Sequence, residues 1–464
     1  MKRFLRSRFV SEYGSLFVLL LLCGYYSVVT FTRQYPLTPG AGRRLAREIV
    51  RVRGPQASVL IAIRDTDRDR AFAAAVQAEL QAAGARVLET VAGEPTDLRR
   101  ALDRWGAAGM PVHAIATHHA VAEWGPLQPD RLARAGEQYP ALAELRVHEP
   151  AGYWWPSFLT RENLLNVVNQ NAEIAIIAIG MTLVIITAGI DLSVGSLLAL
   201  SGVVTAVAIQ HWAGGSAAGP LGLFTCALLG VGLCAVFGAF SGVMITVFRV
   251  PAFIVTLALM MIARGLALKI AVRSQSLLAG GQTEGTPEAV KIGAAAFDWL
   301  GNGTLMGIPN PILLMIALYV MAHIVMTRTA LGRYIYAVGG NPEAARLSGV
   351  NVYGVLILVY TICGAMAGLG GIVDASRFEG GRPNAGSLYE LQVIAAVVVG
   401  GTSLAGGEGR VFGTLIGALI IAVIQNGLNM AGVEPYDQMV VFGCLILAAV
   451  LLDLLKKRSW KPAG

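Results

Sequence analysis

Two kinds of pattern divide the chain. From about residue 160 to 455, long apolar stretches are separated by short polar ones, whereas from 33 to 157 apolar and charged positions are interleaved as in a soluble domain. A helix needs about 20 apolar residues to cross the hydrocarbon core of a bilayer. Such stretches fall at about 14–32, 172–190, 193–211, 221–247, 251–272, 310–327, 352–374, 388–406, 411–430 and 437–454. Ten transmembrane helices are therefore predicted, and the pair flanking Asp191 could be broken helices. The first stretch follows MKRFLRSR, as a signal peptide would. It has no small-x-small cleavage site and ends in the interface-type pair Tyr25-Tyr26, so it reads as an uncleaved span.

The 33–157 segment reads as alternating strand and helix. ASVLIAI (57–63), ARVLET (85–90) and PVHAIAT (111–117) are strand candidates. Residues 67–83 have helical spacing, and TDLRRALDRWG (96–106) resembles a helix capped by Thr96. The βαβαβ order implies parallel strands with right-handed crossovers. Open sheets of this kind bind ligands at the carboxyl ends of their strands. Those ends carry Arg64-Asp65-Thr66-Asp67 and Thr117-His118-His119, which read either as a small binding or docking site or as ordinary capping and solvated residues. His113, His118 and His119 lack a fourth ligand at zinc spacing, so no metal is predicted. No glycine fingerprint follows the first strand, which argues against a nucleotide. GYWWPSF (152–158) closes the segment with aromatics suited to a membrane interface, and TRENLLNVVNQNAEI then reads as an amphipathic surface helix.

Composition adds orientation. The 464 residues are 55% hydrophobic and 14% charged, against roughly 25% charged in soluble domains. A net charge of +7 reads as a topology signal, with no nucleic-acid partner expected. An even span count puts every short basic loop on one side: Lys2, Arg3, Arg6 and Arg8, then Arg249, the 328–350 loop with Arg328, Arg333 and Arg346, then Arg410, and finally Lys456, Lys457 and Arg458. Both termini are thus expected in the cytoplasm, with 33–157 and 273–309 outside. The expected organisation is 1–32, N-terminus and first span; 33–157, extracytoplasmic α/β insert; 158–456, transmembrane domain; 457–464, cytoplasmic tail. Cys23, Cys226, Cys234, Cys363 and Cys444 lie in apolar runs and read as small core residues.

Three membrane-half features carry information. Asp191, with Ser193, interrupts ITAGIDLSVGS, where a carboxylate at depth must line a cavity or gate, or cap a helix. A second interruption, 400–410, occupies the corresponding place in the other half and points to an internal repeat with a pathway between the halves. In the 328–352 loop, Pro342 and Gly349 bound a short helix carrying Glu343, Ala344 and Ala345, suited to a partner's groove.

The EAAxxxG motif at 343–349 resembles the coupling loop of ABC importer permeases. About 158–456 resembles their sugar-type, ribose/xylose branch, through AIGMTLVIITAGIDLSVGSLLALSG (178–202), VPAFIVTLALMMIARGLAL (250–268), AVGGNPEAARLSGV (337–350), IAAVVVGGTSLAGGEGRVFGTLIGAL (394–419) and NGLNMAGV (426–433). The resemblance implies an α-helical polytopic membrane protein of about ten transmembrane helices, like a type II ABC importer, in a bacterial inner membrane. It also implies a second permease subunit (identical or different), two cytoplasmic ABC ATPase domains that use ATP and Mg, and a soluble substrate-binding protein outside. This chain would need no cofactor: it has no GxxxxGK[ST], HExxH or GxSxG, so ATP hydrolysis is expected on a separate subunit. Glu343, Ala344, Ala345 and Gly349 would contact the ATPase. Asn169, Asn171, Gln392, Gln425, Asn426 and Asn429, with Asp191 and Ser193, are candidates for the translocation path or gate, although each could instead bond between helices. Ala188 stands where the family pattern carries glycine and Gln392 where it carries an acid, which leaves substrate identity open. The insert is unusual for the family and could be a fused piece of a sugar-binding domain. Permeases for branched-chain amino acids or nucleosides, and a receptor with the insert as sensor, are the alternatives.

Overall fold

The computed structural model describes residues 8–278 and 288–460. Lys2, Arg3 and Arg6, the side chains of Arg8, Lys456, Lys457 and Arg458, positions 279–287 of the expected outer loop and the end of the 457–464 tail lie outside the described residues. The chain divides into two compact units, Phe31–Ser157 and the remainder. Helix α1 (Arg8–Val29) precedes the first of these in sequence.

In the smaller unit, strand β1 (Phe31–Gln34) leads to α2 (Pro39–Arg53), β2 (Ser58–Ile63), α3 (Asp67–Ala82), β3 (Arg86–Ala92), α4 (Pro95–Ala107), β4 (Ala114–Ala116), α5 (His119–Ala122), α6 (Pro129–Gln138), β5 (Arg146–His148) and β6 (Tyr153–Pro156). β3, β2, β4 and β5 form a parallel sheet in that spatial order. Every residue of β2 is buried, and its period-two alternation divides two cores. Val59, Ile61 and Ile63 pack with Leu45, Ile49, Phe72 and Val76 of α2 and α3. Leu60 and Ala62 pack with Leu98, Ala101 and Leu102 of α4. The expected βαβαβ core is present, with one correction. Glu94, not Thr96, caps α4, in a reciprocal capping box with Asp97, because Pro95 fills the first turn. The antiparallel β1–β6 ribbon, with Phe31 opposite Pro156, sets the two ends of the unit side by side.

The larger unit is helical. It continues through α7 (Arg161–Gln170), α8 (Ala172–Ile186), α9 (Val194–His211), α10 (Pro220–Thr246), α11 (Ala252–Leu278), α12 (Ala295–Asn302), α13 (Asn310–Arg328), α14 (Ala330–Gly340), α15 (Pro342–Leu347), α16 (Val352–Arg377), α17 (Tyr389–Val399), α18 (Val411–Met430) and α19 (Pro435–Trp460). Among the described residues, α9, α10, α11, α13, α16 and α18 are each long and apolar enough to cross a membrane, and α7 with α8 makes a further pair bent by 45°. α8 is buried along its whole length, at the centre of the unit. α10 and α11 expose Leu221, Phe224, Phe253 and Met261, as expected where the surrounding solvent is lipid. Cys444 is exposed on α19 rather than buried in a core, for the same reason. The stretch 388–406 is not one continuous helix: α17 has 11 residues and stops at Val399.

Candidate functional site

Both expected interruptions are present, at 187–193 between α8 and α9 and at 400–410 between α17 and α18. They touch. The Gly407 N–H donates to the Ile186 carbonyl at 2.8 Å. The Thr182 and Thr414 hydroxyls, both buried, are 2.7 Å apart, and Thr182 also donates to the Ala178 carbonyl. α8 ends in a Schellman cap, with Gly189 N–H bonded to the Val184 carbonyl and Ala188 N–H to that of Ile185. α17 ends the same way, through Thr402 N–H to the Val397 carbonyl and Gly401 N–H to that of Val398. The left-handed residue of the cap is Gly401 (φ +94°) in one half and Ala188 (φ +59°) in the other. Asp191 is fully buried; its Oδ1 accepts from the Ser193 N–H (2.9 Å) and hydroxyl (2.6 Å), which turns the chain into α9. Asp191 and Ser193 therefore shape the first break.

A polar cavity of about 70 Å³ lies apart from these breaks. One wall is the α7–α8 bend, with Gln170, Asn171 and Ile174; α17 adds Tyr389 and Gln392, and α18 adds Gln425, Asn426 and Asn429. Five of the sequence candidates, Asn171, Gln392, Gln425, Asn426 and Asn429, thus meet in one place. Asn426 and Asn163 exchange two amide hydrogen bonds (3.1 and 3.0 Å), and Asn429 accepts from Gln438 at 2.8 Å. The buried Gln392 Oε1 has no protein donor. Asn169 is not part of the lining; its carbonyl accepts from Arg377. Sequence reasoning missed Tyr389 and Gln170, and also the charges beside the cavity. Glu173 pairs with Arg377 at 2.9 Å, and Asp374 pairs with Arg382. Arg264, midway along α11, donates to the Pro383 and Ala385 carbonyls at 2.7 Å each. The available signal was an ionisable residue inside an apolar run.

The 328–352 loop holds α14 and α15. Asn341 caps α15 by accepting from the Ala344 N–H at 3.0 Å. Its C-terminus is a Schellman cap, with Val350 N–H on the Ala345 carbonyl and Gly349 at φ +84°. Ala345 is buried, Glu343 pairs with Arg346 on the surface, and Leu347 is 84% exposed.

In the smaller unit the strand order changes direction between β2 and β4, where a doubly wound sheet opens its ligand crevice. The polar groups there pair with one another. Asp69, fully buried, accepts from Arg64 Nε (2.9 Å) and contacts His118 Nε2 (2.8 Å). Burial alone would raise its carboxyl pKa, but Arg64, Thr66 and His118 outweigh that and hold it at about 2. Burial lowers the pKa of His118 in spite of Asp69. Tyr35 stacks on His119 at 3.4 Å, and His113 Nδ1 accepts from the Ser58 N–H at 3.0 Å. Among the described residues, no group of three or more His, Cys, Asp or Glu could hold a metal ion.

Stacked apolar helices around a polar, uncharged cavity define a multi-pass membrane protein of the permease class. Residues 163–450, more than half of the chain, match the family described as branched-chain amino acid transport system / permease component. The chain belongs to this family, within the ribose/xylose ABC permease superfamily. It is 46% identical over 310 residues to the ribose import permease protein RbsC of Escherichia coli (strain K12), covering 65% of this chain and 88% of that one. The corresponding figures for RbsC of Bacillus subtilis (strain 168) are 42% over 301 residues, 65% and 87%. For the xylose transport system permease protein XylH of Escherichia coli (strain K12) they are 38% over 350 residues, 65% and 87%. No solved structure matches significantly.

Proposed function

We propose that this chain is the permease subunit of an ATP-driven importer in a bacterial inner membrane and that it conducts a monosaccharide delivered by a soluble binding protein. The observation that carries this reading is the cavity between the α7–α8 bend, α17 and α18. Its lining is amide, phenol and alkyl, with no charged side chain. An amino acid would bring an ammonium and a carboxylate, each costly to bury without a partner. A neutral polyhydroxylated solute needs only neutral donors and acceptors, and Gln392 Oε1 is an open acceptor. Relatives named for ribose and xylose support the same class. At about 70 Å³ the cavity holds a few water molecules rather than a sugar, so passage requires its walls to part.

We read the six long helices, the bent pair and the shorter apolar helices Gly14–Val29, Tyr389–Val399 and Pro435–Ala448 as ten crossings. On that reading both termini and α15 lie in the cytoplasm, with the 33–157 insert outside. α15, with Glu343, Ala344, Ala345 and Gly349, is then the contact for a separate ATPase. A second permease subunit, of the same or another sequence, completes the pore, and ATP and Mg are used by the ATPase alone. The insert is suited to docking rather than to holding a sugar, since its crevice groups bond to each other.

The test is uptake of labelled ribose, xylose and leucine by the assembled complex, with and without this chain. Sugar uptake that needs both this chain and ATP supports the reading; leucine uptake alone would overturn it.

A further inference from the structure

The bend at Asn171 leaves the end of one helix and the start of another facing each other. The last carbonyls of α7 have no partner within that helix, and the first turn of α8 presents its own unpaired N–H groups. A single side chain from α16 bridges the two ends. Arg377 donates to the Asn169 and Gln170 carbonyls and pairs with Glu173, in the first turn of α8, at 2.9 Å. A cation at the end of α7 and an anion at the start of α8 each match the local helix dipole. Glu173 is 1% exposed and the Arg377 side chain 14%. One turn back on α16, buried Asp374 holds Arg382, which stacks on Phe378 at 3.4 Å. The four charges balance, so none is left uncompensated. Gln170 and Asn171, the residues bracketed by this staple, form one wall of the polar cavity.

We propose that Arg377 is the positioning residue of that cavity: it clamps the α7–α8 bend and so sets where Gln170 and Asn171 stand against the solute. The proposal rests on reading the cavity as the translocation path. Lysine at 377 keeps the charge but lacks the planar fork that holds the two carbonyls and the carboxylate in one fixed geometry. Glu173→Gln keeps the shape and removes the charge.

Uptake of labelled ribose and xylose is measured at saturating sugar in cells that depend on this chain, with the amount of permease in the membrane normalised by immunoblot. A merely structural loss lowers both sugars equally and leaves their ratio unchanged. A displaced wall changes the ratio. Arg377→Lys is expected to shift the ribose-to-xylose ratio about fivefold, and Glu173→Gln about twofold in the same direction. The exchanged pair Glu173→Arg with Arg377→Glu is expected not to restore the ratio, since a glutamate cannot donate to the Asn169 and Gln170 carbonyls; full restoration would overturn the capping role. If Arg377→Lys does not reach the membrane, Glu173→Gln decides by the same criterion. Gln392→Ala separates the two readings. If it shifts the ratio while neither Arg377→Lys nor Glu173→Gln does, the positioning role is overturned and the cavity stands. If none of the three shifts it, the cavity is not the path and both fall.

Discussion

The backbone N–H of Gly407 donates to the carbonyl oxygen of Ile186 at 2.8 Å, joining the two helix interruptions of the membrane unit across 221 positions of sequence (407 − 186). Each interruption frees backbone groups that lipid cannot satisfy. Here the second break supplies a donor to the first. The contact is close: a Cβ on Gly406 would stand 2.8 Å from both the Ala188 Cβ and the Gly339 carbonyl oxygen, with φ at +80°.

Gly406→Ala should therefore combine overpacking with left-handed strain, for a loss of about 3 kcal/mol. Ala188→Gly alone should stabilise by about 1 kcal/mol, because Ala188 already sits at φ +59° in a cap that favours glycine. Combining them should recover only part of the loss, since the Gly339 oxygen remains. Denaturant midpoints of the four purified proteins check this; strict additivity would show that the two breaks do not couple.

Thr182 and Thr414 should respond unequally to valine. Thr182 donates to the Ala178 carbonyl and accepts from Thr414. Thr182→Val leaves the Thr414 hydroxyl without its acceptor, whereas Thr414→Val leaves Thr182 with a partner. The first should cost about 1 kcal/mol more than the second, and the double variant less than the sum. Thermal unfolding in detergent gives the comparison, and equal costs would contradict the assigned donor.

Gly349→Arg should uncouple ATP hydrolysis from uptake while the permease still reaches the membrane. Nothing lies within 4 Å of a Cβ built at Gly349, so the intrinsic cost is the left-handed backbone, about 1–2 kcal/mol. Gly349→Asn, which tolerates that conformation, separates strain from surface. Basal ATPase with lost uptake in Gly349→Arg and near-normal uptake in Gly349→Asn is the expected pattern. Normal uptake in both would remove α15 from coupling.

The smaller unit should weaken in acid. Asp69 is held at about 2, below its ordinary 3.8, so its contribution, about 2 kcal/mol, is present above pH 4 and lost as pH falls toward 2. His118 has a lowered pKa, so the folded unit prefers it neutral, and stability also declines as pH falls below about 6.5. Protease cleavage within 33–157 of the full chain should be faster in Asp69→Asn than in wild type at pH 7, and the two rates should converge as pH approaches 2. A constant ratio would contradict the shifted carboxyl.

Much of the site was legible because span length, loop charge and caps are local properties. Asn171, Gln392, Gln425, Asn426 and Asn429 stood out as amides in apolar runs, and Pro342 and Gly349 marked α15 within ten residues. Helix α2 was harder to read: Arg43, Arg44, Arg47, Arg51 and Arg53 leave only a thin apolar stripe through Leu45, Ala46 and Ile49. The three-residue strand β5 is too short to show a period clearly.

By itself, then, the sequence determined the membrane class, the two breaks, the family resemblance and the residue types at the cavity, since hydrophobicity and backbone preference act over a few residues. Only the tertiary structure decided which of them meet. Arg377 finds Glu173 across 204 positions (377 − 173), and Asn426 finds Asn163 across 263. A buried charge or amide has to find a partner somewhere in the fold, but no spacing along the chain says where that partner will be.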